Sequence, residues 1–502
     1  MIPSVLSSQV QKGVEDFLKT TFPISTPFFH GVMDRFLEAD GGIFKGPYIS
    51  IKLPYRTSSI GQDFFPGVPP GFPPYLHQER AFRRLSGEHP TSTIVATGTG
   101  SGKTECFLYP ILDYCWRHRG EPGIKAIIIY PMNALATDQA KRIAHLIYDN
   151  SNLKNQIKAG LYIGGQQGVH TVPVMGRESI ITDRETLRLS PPDILLTNYK
   201  MLDYLLIRPR DFPLWKENGP ETLKFLVVDE IHTFDGAQGT DLACLIRRLK
   251  SRLKLEKGRL CCVGTSATLG EKETQRVCDY AGKVFGENFA DDAVITESLV
   301  SAEEFLADSQ IERSSVISPE HVEALSPDGY ENDQAYLKAQ YELWFGEAVD
   351  TEDETWPVSV TEKLKRHGFF WKLVLSLNNR IVPLDELILL FDRFTPEFAD
   401  APEEYKRNVM DSMIALISAA RVSTENGLAP FLNVRLQLWL RELRRIVVNI
   451  EQSPTLRFSD DLKEEDQRSH LPVIHCRECG AMGWGGTKRD QDQQINSDLQ
   501  HF

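Results

Sequence analysis

Thr97-Gly-Thr-Gly-Ser-Gly-Lys-Thr104 stands between the short apolar run Ser92–Ala96 and the helix-like stretch Glu105–Cys115. A strand that ends in a glycine-rich turn and continues as a helix is the context a phosphate-binding loop requires. Gly98, Gly100 and Gly102 let backbone N–H groups close around phosphate oxygens, and the helix start turns its positive end toward them. Thr97, Thr99 and Ser101 complete the loop. Lys103 is placed to reach the outer phosphates, and the Thr104 hydroxyl suits a Mg²⁺ ion. The first position is Thr97 where the general pattern has glycine, so the match is relaxed there. A glycine-rich turn with a chance lysine is the bland alternative, and the flanking strand and helix argue against it.

Working outward, Phe225-Leu-Val-Val-Asp-Glu-Ile-His232 supplies a second strand end. An apolar strand delivering Asp229 and Glu230 suits metal-assisted attack on phosphate: Asp229 holds Mg²⁺, and Glu230 orients and deprotonates the attacking water. His232 alone says little, because a lone histidine is more often a structural hydrogen-bonder. Further buried-strand runs are Ala126–Tyr130, Ile194–Thr197 and Leu260–Gly264, and helical segments separate them. That alternation predicts an α/β domain with a doubly wound, mainly parallel sheet, whose functional residues lie past the carboxyl ends of the strands.

These motifs resemble those of superfamily 2 nucleic-acid helicases, whose first lobe is RecA-like. Asp229-Glu-Ile-His232 resembles the DExH box, and Ser266-Ala-Thr268 resembles the motif that couples nucleotide state to strand grip. Gln78 is similar to the adenine-reading glutamine, and Tyr130-Pro-Met-Asn-Ala-Leu-Ala-Thr-Asp-Gln139 is similar to motif Ia. Gly160–Gly165 and Thr197–Asp203 resemble later strand-contacting motifs. The resemblance covers residues 75–298. It implies ATP and Mg²⁺ as cofactors, coupling through His232, Ser266 and Thr268, and nucleic-acid contacts at Pro131, Asn133, Gly164, Thr197 and Asn198. Short hydroxyl and amide groups at strand ends grip phosphates without reading bases. Taken alone, Thr197-Asn-Tyr reads as an ordinary helix cap. Finer matches around Val95–Thr104 and His232–Gly239 resemble helicases of the MrfA and Hrq type, which implies DNA rather than RNA and 3′ to 5′ movement. The long insert and Cys476-Arg-Glu-Cys479 resemble very large bacterial phage-defence helicases of the Druantia type, and so imply defence-system partner proteins.

The rest of the chain sets the frame. Its 502 residues allow two to four domains. The boundaries expected are an N-terminal extension at 1–62, the RecA-like lobe at 63–298, an acidic then helical insert at 299–470, and a CxxC segment at 471–502. The net charge of −13 argues at first against a nucleic-acid partner, yet Leu299–Trp356 alone carries fifteen Asp/Glu against two Lys/Arg. The remainder is neutral overall and can still present a basic groove. Neither a secretory start nor a membrane-length apolar run is evident, and the eight scattered cysteines fit a reducing, cytoplasmic setting.

Cys106, Cys115, Cys244, Cys261, Cys262 and Cys278 read as reduced core residues. Cys476 and Cys479 have the spacing of half a Zn²⁺ site, completed from beyond this stretch or left as an unliganded pair. The glycine-rich tail after Cys479 is not expected to form a core. Val434–Ile450 reads as an amphipathic helix with Leu436, Trp439, Leu440, Leu443 and Val447 on one face. Its arginines either grip DNA or border a packed face. No arginine-finger segment or second βα series is found between Leu299 and Phe502, so a second lobe is expected from a longer form of the chain. The rival reading is a nucleotide-sensing DNA-binding or scaffold module without motor activity of its own.

Overall fold

The computed structural model describes residues 2–38, 42–60, 64–164, 171–267, 274–348, 355–394, 396–424, 427–463 and 466–488. The chain divides into two compact units. Unit 1 combines Met1–Pro54 with Ser301–Phe502, and unit 2 is Tyr55–Val300. The first strand, β1 (Phe44–Lys52), belongs to unit 1.

Unit 2 is built on β2 (Thr93–Ala96), β3 (Ala126–Ile129), β4 (Ala159–Tyr162), β5 (Ile194–Thr197), β6 (Phe225–Val228), β7 (Cys261–Ser266) and β8 (Val294–Thr296). They form one parallel sheet in the order β4-β5-β3-β6-β7-β2-β8. Strands buried on both faces read as continuous apolar runs, and the packing shows why. Ile127 and Ile129 of β3, with Leu226 and Val228 of β6, face one core; Ala126, Ile128, Phe225 and Val227 face the other. This is the doubly wound parallel sheet expected from the sequence. β4 and β8 were not foreseen. Ala159-Gly-Leu-Tyr162 carries few strand-favouring residues, and Gly160 is needed because a Cβ there would meet Leu187 Cδ2 at 2.3 Å.

The strand order positions the site. β2 lies between β7 and β8, and β7 also pairs with β6. The register sets Ala96 beside Ser266 and Val228 beside Gly264. The turn after β2, the end of β7 and the end of β6 therefore open side by side at one edge of the sheet.

Unit 1 is mixed. Its largest core gathers helical residues such as Trp344, Phe369, Leu373, Phe391, Tyr405 and Met413 with Ile49 and Ile51 of β1. Inside it Trp344 Nε1 donates to Ser412 Oγ at 2.8 Å, and Ser412 Oγ donates to Gln340 Oε1 at 2.7 Å. The remaining strands are β9 (Val382–Pro383), β10 (Arg421–Thr424), β11 (Gly427–Pro430), β12 (Asn433–Leu440), β13 (Ile446–Asn449), β14 (Leu456–Phe458), β15 (His470–His475) and β16 (Met482–Trp484). They form antiparallel sheets ordered β12-β1-β9, β10-β11 and β14-β13-β15-β16.

Three expectations are corrected here. Val434–Ile450 is not a helix: β12 and β13 occupy most of it. Val434 and Leu436 alternate with polar Arg435 and Gln437, and they pair with Ile51 and Ile49 of β1 against the core. The arginines that follow are engaged in ion pairs, Arg441 with Asp461 and Arg445 with Asp460. Cys244 is exposed rather than buried, unlike Cys106, Cys115, Cys261, Cys262 and Cys278. The segment after Cys479 does contribute to a core, because β16 buries Met482 beside Phe29 and Val448. Among the described residues no helix is long and apolar enough to cross a membrane.

Candidate functional site

The turn after β2 is shaped by its own side chains before any ligand is considered. Thr97 and Ser101 are fully buried and share a hydrogen bond of 2.7 Å between their hydroxyls. His77 Nε2 lies 2.8 Å from Ser101 O. Gly98 N–H donates to Glu297 Oε2 at 3.1 Å. Gly100 and Gly102 adopt φ of +81° and +77°, a region that side-chain-bearing residues avoid. At Gly102 a Cβ would also lie 2.3 Å from Gln78 Nε2. Lys103 begins the helix Lys103–Arg117, with Thr104 next to it in the first turn.

Gln78 is buried under this loop. Its Nε2 donates to Gly102 O at 3.3 Å, and its Oε1 accepts from Tyr75 N at 2.9 Å. In this structure its amide serves the loop and the start of its own helix, Leu76–Leu85.

The ends of β6 and β7 bring the remaining chemistry. Lys103 Nζ donates to Glu230 Oε1 at 2.9 Å and to Ser266 O at 3.3 Å. His232 Nδ1 lies 3.2 Å from Ser266 Oγ and 3.4 Å from Glu230 Oε2. Thr265, which the sequence reading passed over, organises both acidic residues. Its hydroxyl donates to Asp229 Oδ1 and accepts from Glu230 N–H at 2.9 Å. Glu230 has φ of +48°, a left-handed conformation that costs a non-glycine residue on the order of 1–3 kcal/mol. Thr265 and Lys103 hold it there. Burial pushes the Asp229 carboxyl above its ordinary range, and the neighbouring Glu230 adds to the effect while the Thr265 hydrogen bond opposes it. Thr268 lies outside the described residues.

The missed residues left faint signals. Thr265 sits one position before Ser266 in a buried strand, where a hydroxyl needs a partner. Glu297 directly follows β8, itself too short to stand out.

At the carboxyl ends of β3, β4 and β5 a second cluster forms. Asn198 Nδ2 donates to Asn133 Oδ1 at 2.7 Å, and Asn133 Nδ2 donates to Gly164 O at 3.2 Å. Asn198 Oδ1 meanwhile caps the helix Tyr199–Ile207 by accepting from Met201 N at 2.7 Å. Asn133 opens the helix Asn133–Asp149, just past Pro131, and is exposed. Thr197 differs from these: it is fully buried, and its hydroxyl donates to Tyr162 O at 2.7 Å. It ties β5 to β4 and presents no free hydroxyl at the surface.

Cys476 and Cys479 occupy the turn between β15 and β16. Cys476 N donates to Ala481 O at 2.8 Å, and Gly480 N donates to Cys476 O at 2.9 Å. Gly480 has φ of +71°, and a Cβ there would sit 2.5 Å from Pro23 O. Backbone N–H groups of Cys479 and Glu478 hold the Cys476 thiol below its ordinary range. His475 Nε2 is engaged with Pro23 O at 2.9 Å. Among the described residues no group of three or more His, Cys, Asp or Glu converges as a metal site.

Residues 75–277, which include most of the parallel-sheet lobe, match the DEAD/DEAH box helicase family. Among curated relatives, Druantia protein DruE of Escherichia coli is 29% identical over 342 residues, 49% of this chain and 18% of that protein. The ATP-dependent helicase MJ1574 of Methanocaldococcus jannaschii is 31% identical over 202 residues, 40% of this chain and 26% of that protein. The ATP-dependent helicase hrq1 of Schizosaccharomyces pombe is 30% identical over 179 residues, 35% of this chain and 14% of that protein. The chain thus aligns with at most about a quarter of the length of these three relatives. Among solved structures, the DUF1998 helicase MrfA is 23% identical with a TM-score of 0.36, over 54% of this chain and 37% of that one.

Proposed function

We propose that this chain carries the ATP-binding lobe of an ATP-dependent helicase or translocase that acts on DNA, in a defence system of the Druantia type. The observation that carries the reading is the convergence of Lys103, Asp229, Glu230, His232 and Ser266 on the mouth of the Thr97–Thr104 loop. The similarity to DruE over 49% of the chain favours the defence setting, and the similarity to hrq1 favours a helicase role.

The residues fit MgATP. The Thr104 hydroxyl and the Asp229 carboxylate are the groups that would hold Mg²⁺, which supplies charge neutralisation to the phosphates when bound. Lys103 at present spends its ammonium on Glu230 and Ser266 O. Phosphate oxygens at the loop compete for that ammonium, and Glu230 is then released to orient and deprotonate the attacking water. Ser266, beside both Lys103 and His232, senses which arrangement holds. The Asn133–Asn198–Gly164 cluster offers amide groups to one nucleic-acid backbone at the opposite end of the strand row. The Cys476–Cys479 pair would supply two thiolates to a Zn²⁺ ion whose other ligands would come from outside the described residues. Zinc analysis of a complete protein, with and without Cys476→Ser, tests that part.

Two substitutions test the main reading. Lys103→Ala should weaken ATP binding at least 10-fold, whereas Glu230→Gln should leave binding intact and slow hydrolysis by about 10²–10⁴. Both should abolish protection in a phage-plating assay of the complete system. Protection retained by both variants would point instead to a scaffold whose activity does not need the motor.

A further inference from the structure

Unit 1 contains a concavity of about 450 Å³ far along the chain from the phosphate loop, lined by Val32, Phe36, Leu456 and Phe458 with Arg35, Arg441 and Arg457. Its size falls within the range of small-ligand sites. The apolar floor is contributed by buried residues, with Phe36 and Phe458 5.4 Å apart between ring centres. The charges around it do not balance. Arg441 lies 3.7 Å above the Phe458 ring and makes two hydrogen bonds of 2.7 Å to the carboxylate of Asp461. Asp461 also feels Lys45, and its carboxyl is held below the ordinary range mainly by Arg441. The neighbouring Asp460 is taken by Arg445.

Among the described residues Arg35 donates to a backbone acceptor, Pro454 O at 3.3 Å, and neither Arg35 nor Arg457 has a carboxylate partner. Two guanidinium groups without carboxylate partners among the described residues thus line a concave wall whose third arginine is already oriented by stacking and a two-pronged ion pair. Such a wall focuses positive potential, and planar guanidinium forks match the oxygens of phosphates as they do those of carboxylates.

We propose that this concavity binds a nucleoside phosphate, either free or at the end of a nucleic-acid strand. Arg35 and Arg457 take the phosphate, and the apolar floor takes the sugar and base. The site is independent of the Thr97–Thr104 loop and of the proposed motor role.

Equilibrium binding with labelled AMP, inorganic phosphate and a 5′-phosphorylated dinucleotide tests it on the full chain. Lys103→Ala is included to remove the contribution of the loop, and the dinucleotide lacking its 5′-phosphate distinguishes a strand end from an internal linkage. Lys103→Ala should retain a saturable site for AMP or the phosphorylated dinucleotide. Arg35→Gln or Arg457→Gln, added to Lys103→Ala, should weaken that site at least 10-fold, and Arg457→Lys should restore part of the loss. Both arginines are exposed, so the substitutions leave the core untouched, and a melting temperature and circular dichroism spectrum equal to the parent's confirm the fold of each variant. A single site that disappears with Lys103→Ala, or binding indifferent to both arginine substitutions, overturns the proposal. Preference for the free nucleotide over the phosphorylated dinucleotide assigns it a small ligand, and the reverse assigns it a strand end.

Discussion

Asp229 shows how burial and chemistry pull in opposite directions. Its carboxyl is pushed above the ordinary 3.8 chiefly because it is taken out of water. In the folded chain the proton is therefore held more tightly than in the unfolded chain. This group contributes stability at acid pH and loses that contribution as pH rises through the raised value. The Mg²⁺ role proposed for Asp229 has the opposite demand, because an ion held there would need the carboxylate. Mg²⁺-dependent nucleotide affinity should fall as pH is lowered from 7.5 to 5, starting above the pH at which an ordinary aspartate takes up its proton. Thr265→Val removes the hydroxyl that favours the charged form, so its profile should move to higher pH. Isothermal titration across that range is the measurement, and pH-independent affinity in both proteins would show that Asp229 does not carry the metal.

At the scale of elements, Asn198 performs two jobs with one side chain, and they can be separated. Its oxygen caps the helix Tyr199–Ile207, and its amide nitrogen donates to Asn133. Asn198→Asp keeps the acceptor that caps Met201 N but replaces the donor with charge at a surface proposed to meet phosphates. Melting temperature should stay near that of the parent while affinity for a single-stranded oligonucleotide drops at least 10-fold. Asn198→Ala should lose both, with about 1 kcal/mol from the cap. Oligonucleotide binding by Asn198→Asp equal to the parent would reduce the cluster to a structural brace.

The same scale explains what could be read from the sequence. β2, β3, β5, β6 and β7 were legible because strands covered on both faces are continuous apolar runs ending in chemistry-bearing residues. β12 was misread because Leu436, Trp439, Leu440 and Leu443 satisfy helical spacing as well, and a short window cannot separate the two periods. The pairing partner that decides the matter, β1, lies nearly 400 residues earlier, at Phe44–Lys52. Thr197 illustrates the corresponding limit at the site. Its position at a strand end was readable, but the Tyr162 carbonyl that occupies its hydroxyl was not.

For the whole molecule, the question is how much of the catalytic apparatus one lobe provides. Every group that meets at the loop mouth comes from unit 2, and Lys103 is the cation among them that contacts Glu230. The sheets described in unit 1 are antiparallel and do not repeat the parallel sheet of unit 2. Transition-state charge on a transferring phosphoryl group is usually met by an arginine from a second lobe, worth about 10³–10⁵ in rate. This chain should consequently bind ATP with an affinity set by Lys103 and the loop, yet turn it over slowly even with saturating DNA. Adding a separately prepared second RecA-like lobe should raise DNA-stimulated hydrolysis by several orders of magnitude without tightening nucleotide binding to the same degree. Steady-state ATPase assays alongside direct binding measurements distinguish the two contributions. Fast, DNA-stimulated turnover by these 502 residues alone would mean that an arginine within them completes the site.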